Sequence, residues 1–482
     1  MKRTFSIKTL GCKLNQYESA LIARQFADCG WEARPFGETV DVVIINTCTV
    51  TDRSDKKCRN YIRQGARLSR LGKAVVTGCM VERDRREAAL MDEVLAVFGN
   101  DDKRAIVRKI GSYVDFAESR REGAGADDEA DAAYMEYASG WDGEDGFDES
   151  RVAPLYRTRA YLRVQDGCDG ACSYCIVPSV RGAPRSRPLN EVLDHARRLV
   201  AAGCPELVLT GITIGRYAAG GMDLAALVEE IAAIDGEFRV RVTSIEPTHV
   251  TDRLIELLGS PKVCRHIHLP LQSASDAVLA AMNRPYTAGR YLEIVERIRA
   301  RDRDIAIGAD IIVGFPGESD DDFAATLDMV GRAGFAYVHQ FSFSPRTGTP
   351  AASGTPCTGR VITARGERLR RRVLETGLEY RRRFEGATLP CVIERTMDGA
   401  GHMATSDNYI RIRLSEEATD GAREGTIARV RLVRAGREAN TRNCALSGPS
   451  GAESLCRLEK NEVFRRFFMT RAKFSCYISN YC

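Results

Sequence analysis

Six of the sixteen cysteines have the spacing and setting of cofactor ligands, and they fall into two groups. The first is Cys168-Asp-Gly-Ala-Cys172-Ser-Tyr-Cys175, a C-x3-C-x2-C run with an aromatic residue before its last cysteine. Three thiolates on one tight loop can hold three corners of a 4Fe-4S cluster and leave the fourth iron open. A structural zinc would want a fourth Cys or His nearby, and none follows within the loop. The second group is dispersed: Cys12 after Thr-Leu-Gly, Cys48 after Ile-Ile-Asn-Thr and Cys79 after Val-Val-Thr-Gly. Three such thiolates again suit a cluster with one open iron, against zinc or three inert buried thiols as the alternatives.

The elements that must position these residues can be read from periodicity. RTFSIKTLG, DVVIIN and KAVVTG read as strands, and 15–27, 54–70 and 85–94 as helices, an alternation that argues for a doubly wound parallel α/β sheet. Cys12, Cys48 and Cys79 each follow a strand, and open α/β sheets place ligands at that edge, so cysteines distant in sequence converge. Cys29 and Cys58 do not share the position and read as structural. Further on, YLRVQDG, ELVLTG, FRVRVTSIEP, HIHLPLQ, IAIGADIIVGFPG and YVHQFSFSP alternate with helical patterns at 190–202, 224–234, 252–258, 291–301 and 321–333. Six β/α units predict an incomplete parallel barrel, with Thr210, Gly211, Gln272, Ser273 and Gly314 at the strand ends where barrels carry chemistry. His268 reads as a hydrogen-bonded core histidine, and Cys204 and Cys264 as packing residues.

Composition bounds the rest. A chain of 482 residues implies about three domains. Lys plus Arg total 70 against 66 Asp plus Glu, a net charge of +4 that excludes a wholly basic coating protein but allows a local basic face. No apolar run approaches the roughly 18 residues of a membrane span, and the N-terminus lacks the features of a signal peptide. The expectation is a cytoplasmic protein with reduced thiols. Domains are expected at 3–116, 154–386 and 387–434, with an acidic linker at 117–153 and a tail of unknown structure at 435–482. The cationic loop after the cysteine run offers Arg185 and Arg187 to RNA phosphates. An arginine-dense helix over 365–384 leads into short alternating runs that predict a small antiparallel barrel, with Tyr409 and Arg411 as candidates for base stacking and phosphate contact. The tail, with Cys444, Cys456, Cys476 and Cys482, matches no metal motif; truncation at Val433 is expected to leave activity intact.

TLGCKLNQYES, INTCTV, TGCM, CDGACSYC, ELVLTGI, HLPLQSASD, MNRPYT and IIVGFPGES together resemble the methylthiotransferase family of radical S-adenosylmethionine enzymes. TLGCKLNQYES, TGI, SIEP and MNRPYT are most similar to the branch acting on threonylcarbamoyladenosine in tRNA. The resemblance implies two 4Fe-4S clusters. One, on Cys168, Cys172 and Cys175, would reductively cleave S-adenosylmethionine to a 5′-deoxyadenosyl radical; the other, on Cys12, Cys48 and Cys79, would carry the sulfur. Tyr174, Thr210, Gly211, Gln272 and Gly314 would line the S-adenosylmethionine pocket. The product would be the 2-methylthio form of the modified adenosine next to the anticodon, with electrons from a flavodoxin or ferredoxin. The C-terminal segment resembles the TRAM domain, an RNA-binding barrel. Competing readings are a member acting on isopentenyladenosine or on a ribosomal-protein aspartate, an iron–sulfur electron carrier, or an RNA-binding module.

Overall fold

The structure is a computed structural model that describes residues 2–122, 152, 158–395, 402–415, 423–436, 440–442 and 444–446. Five short hydrophobic runs become strands: β1 (Thr4–Thr9), β2 (Glu32–Ala33), β3 (Val42–Thr47), β4 (Ala74–Gly78) and β5 (Val94–Phe98). They pair in the order β2-β1-β3-β4-β5, every ladder parallel. The central β3 and β4 are buried along their whole length, as strands covered on both faces must be. The covering helices include α1 (Lys13–Asp28), α2 (Asp52–Leu68), α3 (Cys79–Arg83), α4 (Arg85–Ala89) and α5 (Ile106–Glu122). The helix expected over 85–94 is shorter than that. It ends at Ala89, and the run Val-Leu-Ala-Val-Phe pairs along the free edge of β4 as β5.

The second body holds β6 (Ala160–Arg163), a small antiparallel ladder of β7 (Gln165–Asp166) and β8 (Arg185–Ser186), then β9 (Glu206–Thr210), β10 (Arg239–Arg241), β11 (His266–His268), β12 (Ala306–Val313) and β13 (Tyr337–Ser342). Parallel ladders join β6, β9 and β10, and likewise β11, β12 and β13. Bridges from Val240 to Val263 and from Ser244 to His268 connect the two groups. Six β/α units therefore form the open parallel barrel expected, its core built from strand residues such as Leu162, Leu207 and Ile267 and from the inner faces of its helices. α1 of the first body packs beside β6, with the Arg163 guanidinium 5.8 Å from the centre of the Tyr17 ring.

A long helix, Gly359–Arg382, leads to a six-stranded sheet of β14 (Thr388–Arg395), β15 (His402–Ser406), β16 (Arg411–Arg413), β17 (Ile427–Leu432), β18 (Asn440–Arg442) and β19 (Cys444–Leu446). All its ladders are antiparallel except β16 with β18. β18 and β19 lie beyond Val433, so truncation there would remove two paired strands. The residues after 446, with Cys456, Cys476 and Cys482, and most of the acidic linker fall outside the described residues. The sheet is fastened beneath the barrel by two arginines of β10. Arg239 donates to the carbonyls of Pro390 and Thr405, and Arg241 to those of Ser406 and Asp407. Both also grip Glu206, which is fully buried. Among the described residues, no helix is long and apolar enough to cross a membrane.

Candidate active site

The topology brings the dispersed cysteines together. Cys12 caps α1 after β1, Cys48 follows β3, and Cys79 opens α3 directly after β4, so all three stand at the C-terminal edge of adjacent parallel strands. All are buried; Cys79 acts electrostatically on both Cys12 and Cys48, and Cys12 on Cys48. Glycine makes the approach possible. A Cβ on Gly11 would lie 2.7 Å from Cys48 Cβ and 3.0 Å from its sulfur. One on Gly78 would lie 2.5 Å from the Thr47 carbonyl oxygen, and both glycines have positive φ, where other residues are strained. Burial pushes the Cys12 and Cys48 thiols above their ordinary range, so a bound cation is needed to make them thiolates. Cys58, read as structural from sequence, steadies Cys48: its sulfur accepts from the Cys48 amide at 3.4 Å, and its S–H reaches the Cys48 carbonyl at 3.3 Å.

The second thiol group sits on the loop after β7. The Gly170 amide donates to Cys168 Sγ at 3.2 Å, and a Cβ on Gly170 would lie 3.1 Å from that sulfur and 3.9 Å from Cys172 Sγ. Cys168 and Cys172 both act on Cys175, whose thiol burial pushes up to about 12. The loop is clamped from across the barrel mouth. Ser173 bonds to the carbonyls of Met282 and Ala281, and Asn283 Nδ2 donates to the Ala171 carbonyl. Arg284 Nη1 donates to Cys172 Sγ at 3.2 Å while its other nitrogen pairs with Glu246.

The segment that follows the second thiol group packs on the first across the seam between the bodies. Cys79 packs against Ile176 and Val180, which follow the C-x3-C-x2-C loop. Arg181, next in line, is buried; it pairs with Glu18, donates to Asn15 Oδ1 at 2.6 Å and lies 3.6 Å from Asp166. Its guanidinium acts electrostatically on both Cys79 and Cys12. Burial alone would raise the Glu18 carboxyl, but Arg181 and Lys103 hold it at about 2. A second buried arginine, Arg346, donates to Asp52, Thr49 and Asp55 beside Cys48.

The remaining sequence candidates divide. Tyr174 packs on the apolar cluster around Phe315 and Phe343, beside Arg284. Thr210 is buried with an unpartnered hydroxyl. Gly211 abuts the Gln165 backbone, and the Gln165 side chain accepts from the amides of Ile212 and Thr213 to shape the loop. Gln272 has a φ of +64° and bridges to Asp310 and Ile312 of β12. Gly314 meets Ile362 of the long helix. Two residues expected on the RNA-facing surface turn inward. Arg187 is buried against His195 and Glu191, because the chain turns it inward behind β8. Tyr409, at a φ of +63°, swings its ring under the barrel against His266, with centroids 4.4 Å apart. Arg411 is exposed, and Arg185 is exposed with Asp101 at 3.4 Å. His268 is hydrogen-bonded and buried as read, but it lines a polar cavity with Asp310 and His339.

Sequence reasoning missed Glu18, Arg284, Arg346 and Lys13, and read Arg181 only as part of the cationic loop over 180–187. Arg284 stands within MNRPYT and Lys13 directly after Cys12, so proximity to quoted motifs was the available signal.

Comparison with known proteins agrees with this layout. Residues 162–330 match the Radical SAM superfamily and residues 4–99 the uncharacterized protein family UPF0004. The threonylcarbamoyladenosine tRNA methylthiotransferase MtaB of Bacillus subtilis is 34% identical over 448 residues, 90% of this chain and 94% of that protein. The tRNA-2-methylthio-N(6)-dimethylallyladenosine synthase of Cereibacter sphaeroides is 34% identical over 438 residues, 89% of this chain and 96% of that protein. Among solved structures, the radical S-adenosylmethionine methyltransferase TsrM of Kitasatospora setae aligns with a TM-score of 0.49 at 15% identity, covering 73% of this chain and 74% of that one. With relatives matched over nearly their whole length, the chain belongs to the radical S-adenosylmethionine methylthiotransferases, transferases that use S-adenosylmethionine and carry 4Fe-4S clusters.

Proposed function

We propose that the chain inserts a methylthio group at carbon 2 of threonylcarbamoyladenosine beside the tRNA anticodon, in the cytoplasm, with electrons from a flavodoxin- or ferredoxin-type donor. Cys168, Cys172 and Cys175 hold one cluster and Cys12, Cys48 and Cys79 the other. The segment 3–116 carries the sulfur-donating centre, 154–386 the radical centre, and 387–434 binds RNA through surface residues such as Arg411.

The residues fit these groups. Each thiol trio is soft and convergent, the set that leaves one iron open, and Cys58 beside the first is engaged with the Cys48 backbone. Donors already aim at the sulfurs, from the Gly170 amide and from Arg284. The buried, unpaired Thr210 hydroxyl suits a contact to S-adenosylmethionine. When bound, these groups supply the radical that activates an aromatic C–H and the sulfur that replaces the hydrogen.

The chain's own residues do the positioning. Arg181 spans the seam and keeps both thiol groups on one substrate volume. Burial at the seam excludes water, which protects reactive intermediates. The observation that carries the reading is this single juxtaposition: Cys79 in contact with Ile176 and Val180, with Arg181 serving both sides.

The test is mass spectrometry of tRNA nucleosides from a strain lacking the gene. Loss of the 2-methylthio form of threonylcarbamoyladenosine alone is expected. Loss of the isopentenyl analogue instead overturns the substrate.

A further inference from the structure

The barrel lumen is lined by Lys13, His266, His268, Asp310, Tyr337 and His339 among others. Residues two apart on a strand face the same way, which brings His266 with His268 and Tyr337 with His339 into one chamber. Tyr337 Oη lies 2.8 Å from His266 Nε2 and 3.1 Å from His268 Nδ1. Asp310 Oδ1 lies 3.1 Å from His268 Nε2 and 3.2 Å from His339 Nδ1. One proton arrangement satisfies every contact. His339 and His268 donate to the carboxylate, Tyr337 donates to His268, and His266 donates to Tyr337. That leaves His266 Nδ1 as a buried acceptor with no partner. The donor atoms of His268, Asp310 and His339 lie within 4.8 Å of one another, near enough for a metal ion. The carboxylate already accepts from both rings, so they form a hydrogen-bonded wall instead.

The cations around this wall are not equivalent. Arg241 spends its nitrogens on Glu206 and on the carbonyls of Ser406 and Asp407. Arg159 pairs with Glu394 and Glu206. Lys13 reaches the chamber from the other body, at the first turn of α1, and makes no hydrogen bond or ion pair among the described residues. Its charge acts on His266 and His339, which burial holds neutral, the latter with a pKa lowered to about 4. His266 Nδ1 is sealed off from the chamber, so the lining groups left to meet a ligand are the Lys13 ammonium, the second Asp310 oxygen and the Ser244 hydroxyl. Their complement is a ligand with one carboxylate and nearby N–H or O–H donors.

We propose that this chamber holds the amino-acid substituent on the target adenine and that Lys13 binds its carboxylate, with Asp310 accepting from its N–H and O–H groups. The assignment rests on the substrate reading above and deepens it to residues. An apolar isopentenyl group would leave the Lys13 ammonium and the open Asp310 oxygen covered and unpaired, the condition under which polar sites discriminate most strongly. Because Lys13 follows Cys12 directly, the turn that presents the sulfur-side thiol also presents the substituent's counter-charge.

The test uses the reconstituted full chain and anticodon stem-loop RNAs carrying threonylcarbamoyladenosine, its carboxylate methyl ester, or isopentenyladenosine. Methylthiolation rates and RNA affinity by fluorescence anisotropy are both read. Lys13→Gln is expected to lower kcat/KM on the acid about tenfold to a hundredfold, the scale of one charge-assisted hydrogen bond. It should weaken binding of the acid in step and change the ester little, while Lys13→Arg restores most of the loss. Iron and sulfide content equal to wild type shows that the variant is loaded. Equal losses on acid and ester, or none on either, overturn the role of Lys13 while wild type still acts on the acid. Wild type acting on the isopentenyl RNA and not on the acid overturns the substrate reading and this assignment with it.

Discussion

Arg181 and Glu18, 163 residues apart, form a buried ion pair across the seam between the N-terminal sheet and the barrel. Lys103 completes Glu18 from one side and Asp166 attends Arg181 from the other, so two acids and two bases are buried together. The group holds neutral charge beside Cys12 and Cys79, where the segment after the second thiol loop packs on the first domain.

Removing one member leaves an uncompensated buried charge. Arg181→Met is expected to cost about 3–5 kcal/mol. The double variant Glu18→Gln/Arg181→Met should lose less than the two single variants combined, because the residues share a network. Denaturant unfolding of the anaerobic protein gives the four values; strict additivity would show that the pair is not a coupled unit.

Glu206 offers a pH prediction. Burial would raise its carboxyl, but Arg241 and Arg239 hold it well below the usual range. A group depressed in the folded state stabilises above its unfolded pKa, and that contribution fades as pH falls through the acid range. Glu206→Gln should therefore be less stable than wild type by about 3 kcal/mol or more at pH 7. The gap should narrow below about pH 4.5, the region where an unfolded glutamate takes its proton. Parallel denaturation at several pH values checks this, and a gap that widens with acid would contradict the assignment.

Arg284 places a positive charge and an N–H donor on Cys172 Sγ. Hydrogen bonds and charge at cluster sulfurs set reduction potential. Arg284→Met is expected to make the loop cluster harder to reduce, because it removes a cation and leaves Glu246 unpaired. Glu246→Gln should shift the potential the other way. Redox titration followed by electron paramagnetic resonance reads both; unchanged potentials at full iron content would exclude the role.

Much of this architecture was legible in the sequence. The positions of Cys12, Cys48 and Cys79 after β-branched runs foretold their convergence, because a parallel sheet lines up its strand ends. The six barrel strands were found for the same reason, each a short apolar run between helical patterns. β5 was missed because a five-residue run after a helix carries no periodicity to separate it from that helix. Arg187 and Tyr409 differ from their surface reading for another cause. A basic loop and a Tyr among arginines read as surface, and only the tertiary turn at each shows the side chain facing inward. The pairing of Arg181 with Glu18 was invisible because nothing local marks a buried pair spanning two domains.

Gly314 illustrates how a strand-end glycine can serve packing. Its φ is +81°, and a Cβ there would lie 2.4 Å from Ile362 Cγ1. Gly314→Ala is expected to cost about 2–5 kcal/mol, from left-handed strain together with overpacking. Adding Ile362→Ala should recover the steric part and leave the backbone part, about 1–2 kcal/mol. Thermal unfolding of the two variants separates them; a neutral Gly314→Ala would mean that the long helix yields freely.

Gly78 makes the sharpest demand on the sulfur-side thiols. Its φ is +100°, and an added Cβ would meet the Thr47 oxygen at 2.5 Å and the Thr47 nitrogen at 2.7 Å. Those atoms are backbone, immediately before Cys48, and cannot swing aside as a side chain would. Gly78→Ala must therefore push Cys79 and Cys48 apart. The N-terminal group takes the displacement directly, while Cys168, Cys172 and Cys175 lie on a loop with holds of its own at Gly182, Met282 and Ala281. The variant should then carry about four irons in place of about eight, and still cleave S-adenosylmethionine while transferring no sulfur. Iron analysis with assays for 5′-deoxyadenosine and for methylthiolated RNA distinguishes the outcomes. Full iron content with normal transfer would show that the strand ends tolerate the displacement and that the thiol spacing is not set by this glycine.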